Sequence, residues 1–375
     1  MRAWIITDLR KHLKFIALVL LAGLILWWFG RGLNWTEVRE ALGRSDGRLL
    51  LASIAVVYLT YLLRAYRWRS LLSPLTPASL RELFVATTVG FSAVFLFGRA
   101  GEVVRPVVLP LRDRRVRPAA AFVTIMVERL CDSMAVVLLF AVNLLWFRPA
   151  NSTGSEFAHV RLAGIVLLAA SLLGVAGLVW FKRRSESAIR GLGKRLARWS
   201  FVPERVARAI LSLLEQLAGA LSILTDAREL AVVAAWTTLL WGTITLANVL
   251  VMRAFGLPFG LPETVFVMGF ALIGSLVPTP GGAAGAFHAA TAAGLIFLGV
   301  AREQAVAVTI VLNPIIFGPA LTFGLYYLLR GEVNIKRLRQ LTSPEEVEHA
   351  VEDEIIHPPD KTGATEEPMM VHAGE

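Results

Sequence analysis

The charged side chains that interrupt apolar stretches are where this sequence could do chemistry. Glu128-Arg129-Leu130-Cys131-Asp132 breaks a long apolar segment. On a helix, Glu128 and Asp132 share a face, and Arg129 reaches Asp132 at i, i+3. Ionised groups at membrane depth are costly and mark a function, unless they only neutralise one another and fix helix packing. A second constellation is Gly98-Arg99-Ala100-Gly101-Glu102-Val103-Val104-Arg105-Pro106. Gly98 and Gly101 let the backbone turn and a headgroup come close. Arg99 and Arg105 offer forked donors suited to a lipid phosphate, and Glu102 can orient an arginine or meet an amine. The plainer reading is a basic cytoplasmic loop. The third is Pro278-Thr279-Pro280-Gly281-Gly282, followed by Gly285 and His288. Its breakers free backbone N–H groups around Gly281 and Gly282, at the start of a half-helix, for an anion. His288 can titrate or donate a hydrogen bond there, its plainer role being packing. Asn313-Pro314 marks a kink, and Asn143 and Asn248 are expected to bond between helices.

These residues need helices that cross a bilayer. The chain has 375 residues, 56% of them hydrophobic, and a mean hydropathy of +0.62. The apolar residues fall in blocks without period-two alternation, which excludes strands. A helix needs about 20 apolar residues to span the hydrocarbon. Six blocks reach or approach that length: Phe15–Phe29, Leu49–Tyr66, Ala119–Trp146, Leu162–Phe181, Leu230–Met252 and Ala305–Leu329. Phe15–Phe29 follows a basic start but ends in Trp27-Trp28 without a small-residue cleavage site, so it reads as a retained helix. The net charge of +10 belongs to short loops between blocks. It is explained by topology and anionic headgroups, not by nucleic acid. Arg64, Arg67, Arg69 and Arg81, the run Arg105–Arg117, the stretch after Phe181 and Arg330–Arg339 all read as cytoplasmic, as do both termini.

Two apolar runs are too short for an ordinary crossing. Leu83–Phe97 has basic flanks on both sides and, with Val103–Leu111, reads as a re-entrant hairpin. Thr264–Val277, with the Ala-rich segment to Leu298, reads as another from the opposite side. Irregular backbone at that depth must be buried in protein or line a wet cavity. Each hairpin stands between two longer helices, so units 48–146 and 228–329 match element for element about 180 residues apart. Three crossings separate their starts, which makes them inverted repeats, and interrupted helices in such repeats point to a transport site near the midplane. The expected fold class is therefore all-α integral membrane, with about six full crossings and two re-entrant hairpins, over residues 1–341. Residues 187–225 read as a cytoplasmic amphipathic linker, and 342–375 as an acidic disordered tail.

Cys131 is the one cysteine, so no disulfide or Cys-based metal site forms within one chain, and it reads as a packing residue. There is no P-loop, Gly-x-Ser-x-Gly or His/Glu metal signature, and no catalytic residue, metal or cofactor is expected. With those residues read, the chain resembles the flippase-like transmembrane family of lysylphosphatidylglycerol synthases. The resemblance rests on Gly98-Arg99-Ala100-Gly101-Glu102 with Arg105-Pro106, on Glu128-Arg129 with Asp132, and on Pro280-Gly281-Gly282 with Gly285, and runs from Phe15 to Leu329. It implies a lipid translocase without the soluble aminoacyl-transferase domain, so lysyl transfer is not expected. The site expected from both lines comprises Arg99, Gly101, Glu102, Arg105, Glu128, Arg129, Asp132, Gly281, Gly282, His288 and Asn313. The partner is a membrane lipid with an anionic headgroup, and a second copy or a lipid-synthesis enzyme is a further candidate. The alternative is a lipid-modifying membrane enzyme, or an accessory subunit, acting through Glu128 and Asp132.

Overall fold

The computed structural model describes residues 20–147 and 227–330, with isolated short runs between 158 and 211. The expected crossing Leu162–Phe181 is described in part, where its described residues are helical and include the apolar helix Gly164–Gly174; the linker 187–225 lies largely outside the described residues. The tail 342–375 and the residues before 20 lie wholly outside them, as do the orientations inferred for the termini. Among the described residues the elements are α1 (Leu20–Gly30), α2 (Trp35–Gly43), α3 (Gly47–Leu72) and α4 (Leu80–Phe97). A 3₁₀ turn (Gly98–Val103) leads to α5 (Val104–Arg112) and α6 (Pro118–Trp146). Then come α7 (Ala227–Ala254), α8 (Leu261–Gly274), a tight turn (Pro280–Ala283), α9 (Ala286–Phe297) and α10 (Arg302–Leu329).

The local chemistry accounts for the ends. Asp46 accepts from the backbone N–H groups of Arg48 and Leu49 and so starts α3, as expected of an aspartate N-cap. Asn34 accepts from Thr36 N–H and starts α2. That helix occupies the stretch from Gly30 to Arg48, which charge alone leaves ambiguous. Pro118 opens α6 at a position whose N–H would be unpaired in any case. Among the described residues four helices are long and apolar enough to cross a membrane: Gly47–Leu72, Leu80–Phe97, Arg228–Ala254 and Arg302–Tyr327. Their outward faces are apolar too, with Leu51, Leu59, Leu239, Leu246 and Leu325 exposed. A soluble helix turns its polar stripe outward, so these faces are suited to lipid and the protein is an all-α membrane protein. The 29-residue α6 is as long but carries Glu128, Arg129 and Asp132 about its middle. Helix α4 has 18 residues, gaining a turn from Leu80, Arg81 and Glu82 ahead of the apolar run.

The two halves pack reciprocally. Helices α3 and α7 run antiparallel: Asp46 N–H donates to Ala254 O, Ser53 Oγ to Ala247 O at 2.9 Å, and Tyr66 stacks on Trp236. Helix α4 lies antiparallel to α10, with Phe84 on Phe323, Phe95 on Phe317 and Ser92 Oγ donating to Ala320 O. In the same manner α6 lies along α8, where Phe140 packs at Gly269 and Asn143 Nδ2 donates to Pro262 O at 2.9 Å. Asn143 thus bonds between helices as expected. Asn248 does not: it donates to Ile244 O one turn back in its own helix. Helix α10 continues through Pro314 and Pro319.

Each half contains a broken hairpin closed at glycines. A Cβ on Gly101 would lie 2.2 Å from the Ala93 carbonyl carbon, and one on Gly90 would lie 2.7 Å from Arg105 Cβ. The 3₁₀ turn and α5 therefore fold flat against α4. Opposite Gly274 are Ala286 O and Ala290, and opposite Gly294 is Phe270, which joins α8 to α9 in the same way. The tips of the two hairpins touch, because Gly98 stands against the carbonyls of Pro278 and Thr279. One core cluster draws on α3 and on α7 to α10, through Val57, Tyr61, Met252, Val267, Phe287 and Val306. A second is built from the first half, around Trp68, Leu83, Leu109 and Ala121, with Tyr327 of α10 packed against it.

Candidate functional site

A buried network of charge holds α3, α5 and α6 together. On α3 the spacing places Arg64, Arg67 and Trp68 on one face, and on α6 Glu128 and Asp132 stand one turn apart. Arg67 is fully buried and grips Asp132 with both terminal nitrogens, at 2.6 and 3.1 Å. One of them also lies 3.4 Å from Glu128 Oε1. Arg105 arrives from α5 and binds Glu128 with the same forked geometry, at 2.6 and 2.9 Å. Arg129 reaches Glu128 at 2.8 Å and Asp132 at 3.4 Å, the i, i+3 pair anticipated from spacing. Trp241 on α7 donates its indole N–H to Asp132 at 3.2 Å. That bond ties the second half to the network.

Removing ions from water costs several kcal/mol each, and only close, multiply bonded geometry offsets it. Here every carboxylate oxygen of Glu128 and Asp132 has at least one donor. The donors are less well satisfied: Nε of Arg67 and Nε of Arg105 are buried without a hydrogen-bond partner.

Aromatic rings line the cluster. The Arg105 guanidinium lies 4.2 Å over Trp68, whose own N–H donates to Thr124 on α6. Phe91 on α4 has three guanidiniums about it, those of Arg64 at 4.7 Å, Arg105 at 5.8 Å and Arg129 at 6.0 Å. A ring face attracts a desolvated cation by roughly 2 kcal/mol, so Phe91 gathers cations that would otherwise repel. Gly90, its neighbour, is what lets Arg105 approach.

Of the residues read from sequence, Arg105, Glu128, Arg129 and Asp132 meet in this cluster. Gly101 closes the first hairpin beside it, and half-buried Glu102 lies within electrostatic reach of Arg129. The side chain of Arg99 lies outside the described residues. The second group sits at the other tip. Gly281 and Gly282 have φ of +74° and +65°, Asn313 Nδ2 donates to Gly282 O at 3.1 Å, and His288 Nδ1 accepts from Gly285 N–H at 3.4 Å. The link between the groups is aromatic: Phe317 packs over Gly282 and against Phe95, one turn of α4 beyond Phe91.

Sequence reading missed Arg67, Arg64, Phe91 and Trp241. Arg67 was assigned to a cytoplasmic loop by the positive-inside pattern, but α3 continues to Leu72 and buries it. The excess of Glu128 and Asp132 over Arg129 within the apolar block calls for a cation from another helix, but Arg105 already answers it, so charge count alone does not single out Arg67.

Among the described residues no group of three His, Cys, Asp or Glu side chains is arranged to hold a metal ion. A comparison with curated proteins finds no match. The sequence model of the family described as "Lysylphosphatidylglycerol synthase TM region" matches residues 15–324. That stretch contains the charge cluster, both hairpins, three of the long apolar helices and most of the fourth. The chain therefore belongs to the lysylphosphatidylglycerol synthase transmembrane-region family.

Proposed function

We propose that this protein is a lipid translocase of the cytoplasmic membrane, not an enzyme, and that it binds a phosphate-bearing headgroup where its two broken hairpins meet. The observation that carries this reading is the guanidinium–carboxylate network buried among helices with lipid-facing exteriors. Ionisable side chains at such depth are rare outside substrate and ion pathways. The antiparallel α3–α7 pair, repeated in the reciprocal α4–α10 and α6–α8 contacts, supports inverted repeats with the hairpins re-entering from opposite sides. Rocking one repeat against the other alternates access to a fixed site between them. Against acid–base chemistry by Glu128 or Asp132 stands their full engagement with Arg67, Arg105 and Arg129. A carboxylate held by several cations is a poor proton carrier.

The test is purified protein in vesicles with a headgroup-labelled phospholipid and a membrane-impermeant quencher. Loss of protection of the inner leaflet, without any change in lipid mass, supports the translocase. A new lipid species formed in the same vesicles points to an enzyme.

A further inference from the structure

The charge cluster is not neutral, and its closed and open sides differ. Arg67, Arg105 and Glu128 are sealed, with side-chain exposures of 0%, 5% and 0%. Arg129 keeps 34% of its side chain exposed, and Arg64 is half-buried. Arg64 lies within electrostatic reach of Asp132, Arg67 and Arg129 but has no carboxylate ion-pair partner among the described residues. Its guanidinium leans on the Phe91 ring instead. The guanidiniums of Arg64, Arg67, Arg105 and Arg129 thus stand against the carboxylates of Glu128 and Asp132. Even with Glu102 counted, a positive charge remains uncompensated. A half-desolvated excess cation is stable when an anion joins it.

We infer, resting on the translocase reading above, that Arg64 and Arg129, whose guanidiniums lie 4.7 and 6.0 Å from the centre of the Phe91 ring, bind the phosphate of a lipid whose headgroup is net negative. A lysylated lipid, whose two ammonium groups outweigh its one phosphate, fits such a site poorly. Glu128 and Asp132 are already held by arginines, which leaves an ammonium only half-buried Glu102 as an acceptor, and it would add to the existing excess. Arg67 and Arg105 are positioning residues: they hold Glu128 and Asp132, and those in turn hold Arg129. Phe91 holds the two binding guanidiniums near one ring, where an anion would offset their mutual repulsion.

The experiment is native mass spectrometry of the full chain released from vesicles of phosphatidylglycerol, phosphatidylcholine and lysylphosphatidylglycerol in equal parts, with and without inorganic phosphate. Wild type is expected to retain phosphatidylglycerol over either other lipid by about tenfold or more, the order of one charge-assisted contact. Arg64→Gln loses that preference, Arg64→Lys keeps part of it, and Arg44→Gln, at a distant surface pair, keeps all of it. A thermal midpoint for each variant separates lost binding from lost fold, and the lipid competition in wild type needs no variant at all. Preferential retention of lysylphosphatidylglycerol, with leaflet exchange intact, overturns the charge inference while the translocase reading stands. Displacement of phosphatidylglycerol by an equal concentration of inorganic phosphate overturns the lipid half of the inference. Retention of no lipid and no leaflet exchange overturns both.

Discussion

Arg105 and Glu128 share two parallel hydrogen bonds, 2.6 and 2.9 Å long, in a place almost closed to solvent. The pair joins a short helix of the first hairpin to the middle of α6. Because Arg67 and Arg129 also lean on Glu128, its removal strands three cations at once. Breaking a buried pair from one side costs roughly 3–5 kcal/mol. Glu128→Ala should therefore lower the thermal midpoint steeply or prevent accumulation in the membrane. Arg105→Met combined with Glu128→Gln should recover part of the loss. Additive losses in the double variant would argue that the two residues act separately.

The closure of the first hairpin gives a steric prediction. Gly101→Ala drives a methyl group into the Ala93 backbone, which cannot yield as a side-chain end can. Overpacking of this kind costs about 1–3 kcal/mol. Gly318→Ala, with nothing within 4 Å of the new carbon, should be neutral or stabilise α10 by up to about 1 kcal/mol. Similar midpoints for the two variants would contradict the packing of the 3₁₀ turn on α4.

At the second tip, Asn313→Ala removes the donor to Gly282 O and leaves that buried carbonyl unpaired, at about 1–3 kcal/mol. Lipid exchange should fall by more than for His288→Gln, since His288 only accepts a long bond from Gly285. Equal rates for the two variants would remove Asn313 from the transport machinery.

The antiparallel course of α3 and α7 can be tested by chemistry. Cys131 is the one native cysteine, so Cys131→Ser gives a clean background. Ser53→Cys with Ala247→Cys should crosslink with a short bifunctional reagent, because Ser53 Oγ already reaches Ala247 O. Ser53→Cys with Trp236→Cys should not, position 236 facing Tyr66 at the other end. Crosslinking of only the second pair would reverse the helix order.

In the loop between α5 and α6, beyond the ends of the helices, Asp113 folds the turn. It accepts from Arg115 through the backbone N–H, Nε and Nη2, and these bonds hold its carboxyl below the usual carboxylate range. A depressed folded value means that its stabilisation is complete above the unfolded value, near 3.9, and is lost as pH falls through the folded one. Asp113→Asn should lower the thermal midpoint at pH 7, and the gap to wild type should close only in strong acid. A gap independent of pH would show that charge is not what Asp113 contributes.

The long apolar helices and the hairpin breaks were legible because bilayer thickness and glycine leave a mark on sequence. Glu128, Arg129 and Asp132 were legible for a related reason: few charges survive inside an apolar block by accident. Arg67 was not, since at the end of a block a buried arginine and a loop arginine look alike. Phe91 was hidden for the opposite reason, as one aromatic among 20 phenylalanines. Its role exists only where three helices converge on one ring. Asn248 shows the limit for polar residues, since hydrogen-bonding back along its own helix leaves no pattern distinct from bonding across.

The network also imposes an order on biosynthesis. Arg67 precedes Asp132 by 65 residues, and Asp132 precedes Trp241 by 109. At roughly 5–20 residues per second, α3 waits on the order of 3–13 s before its counter-ion is made. During that interval Arg67, near the C-terminal end of α3, keeps its charge hydrated at the membrane surface, where a long side chain can reach water. Its buried ion pairs can form only once α6 delivers Glu128 and Asp132. The bond from the indole of α7 to Asp132 comes later still, so the network is complete only after both halves of the chain have been made.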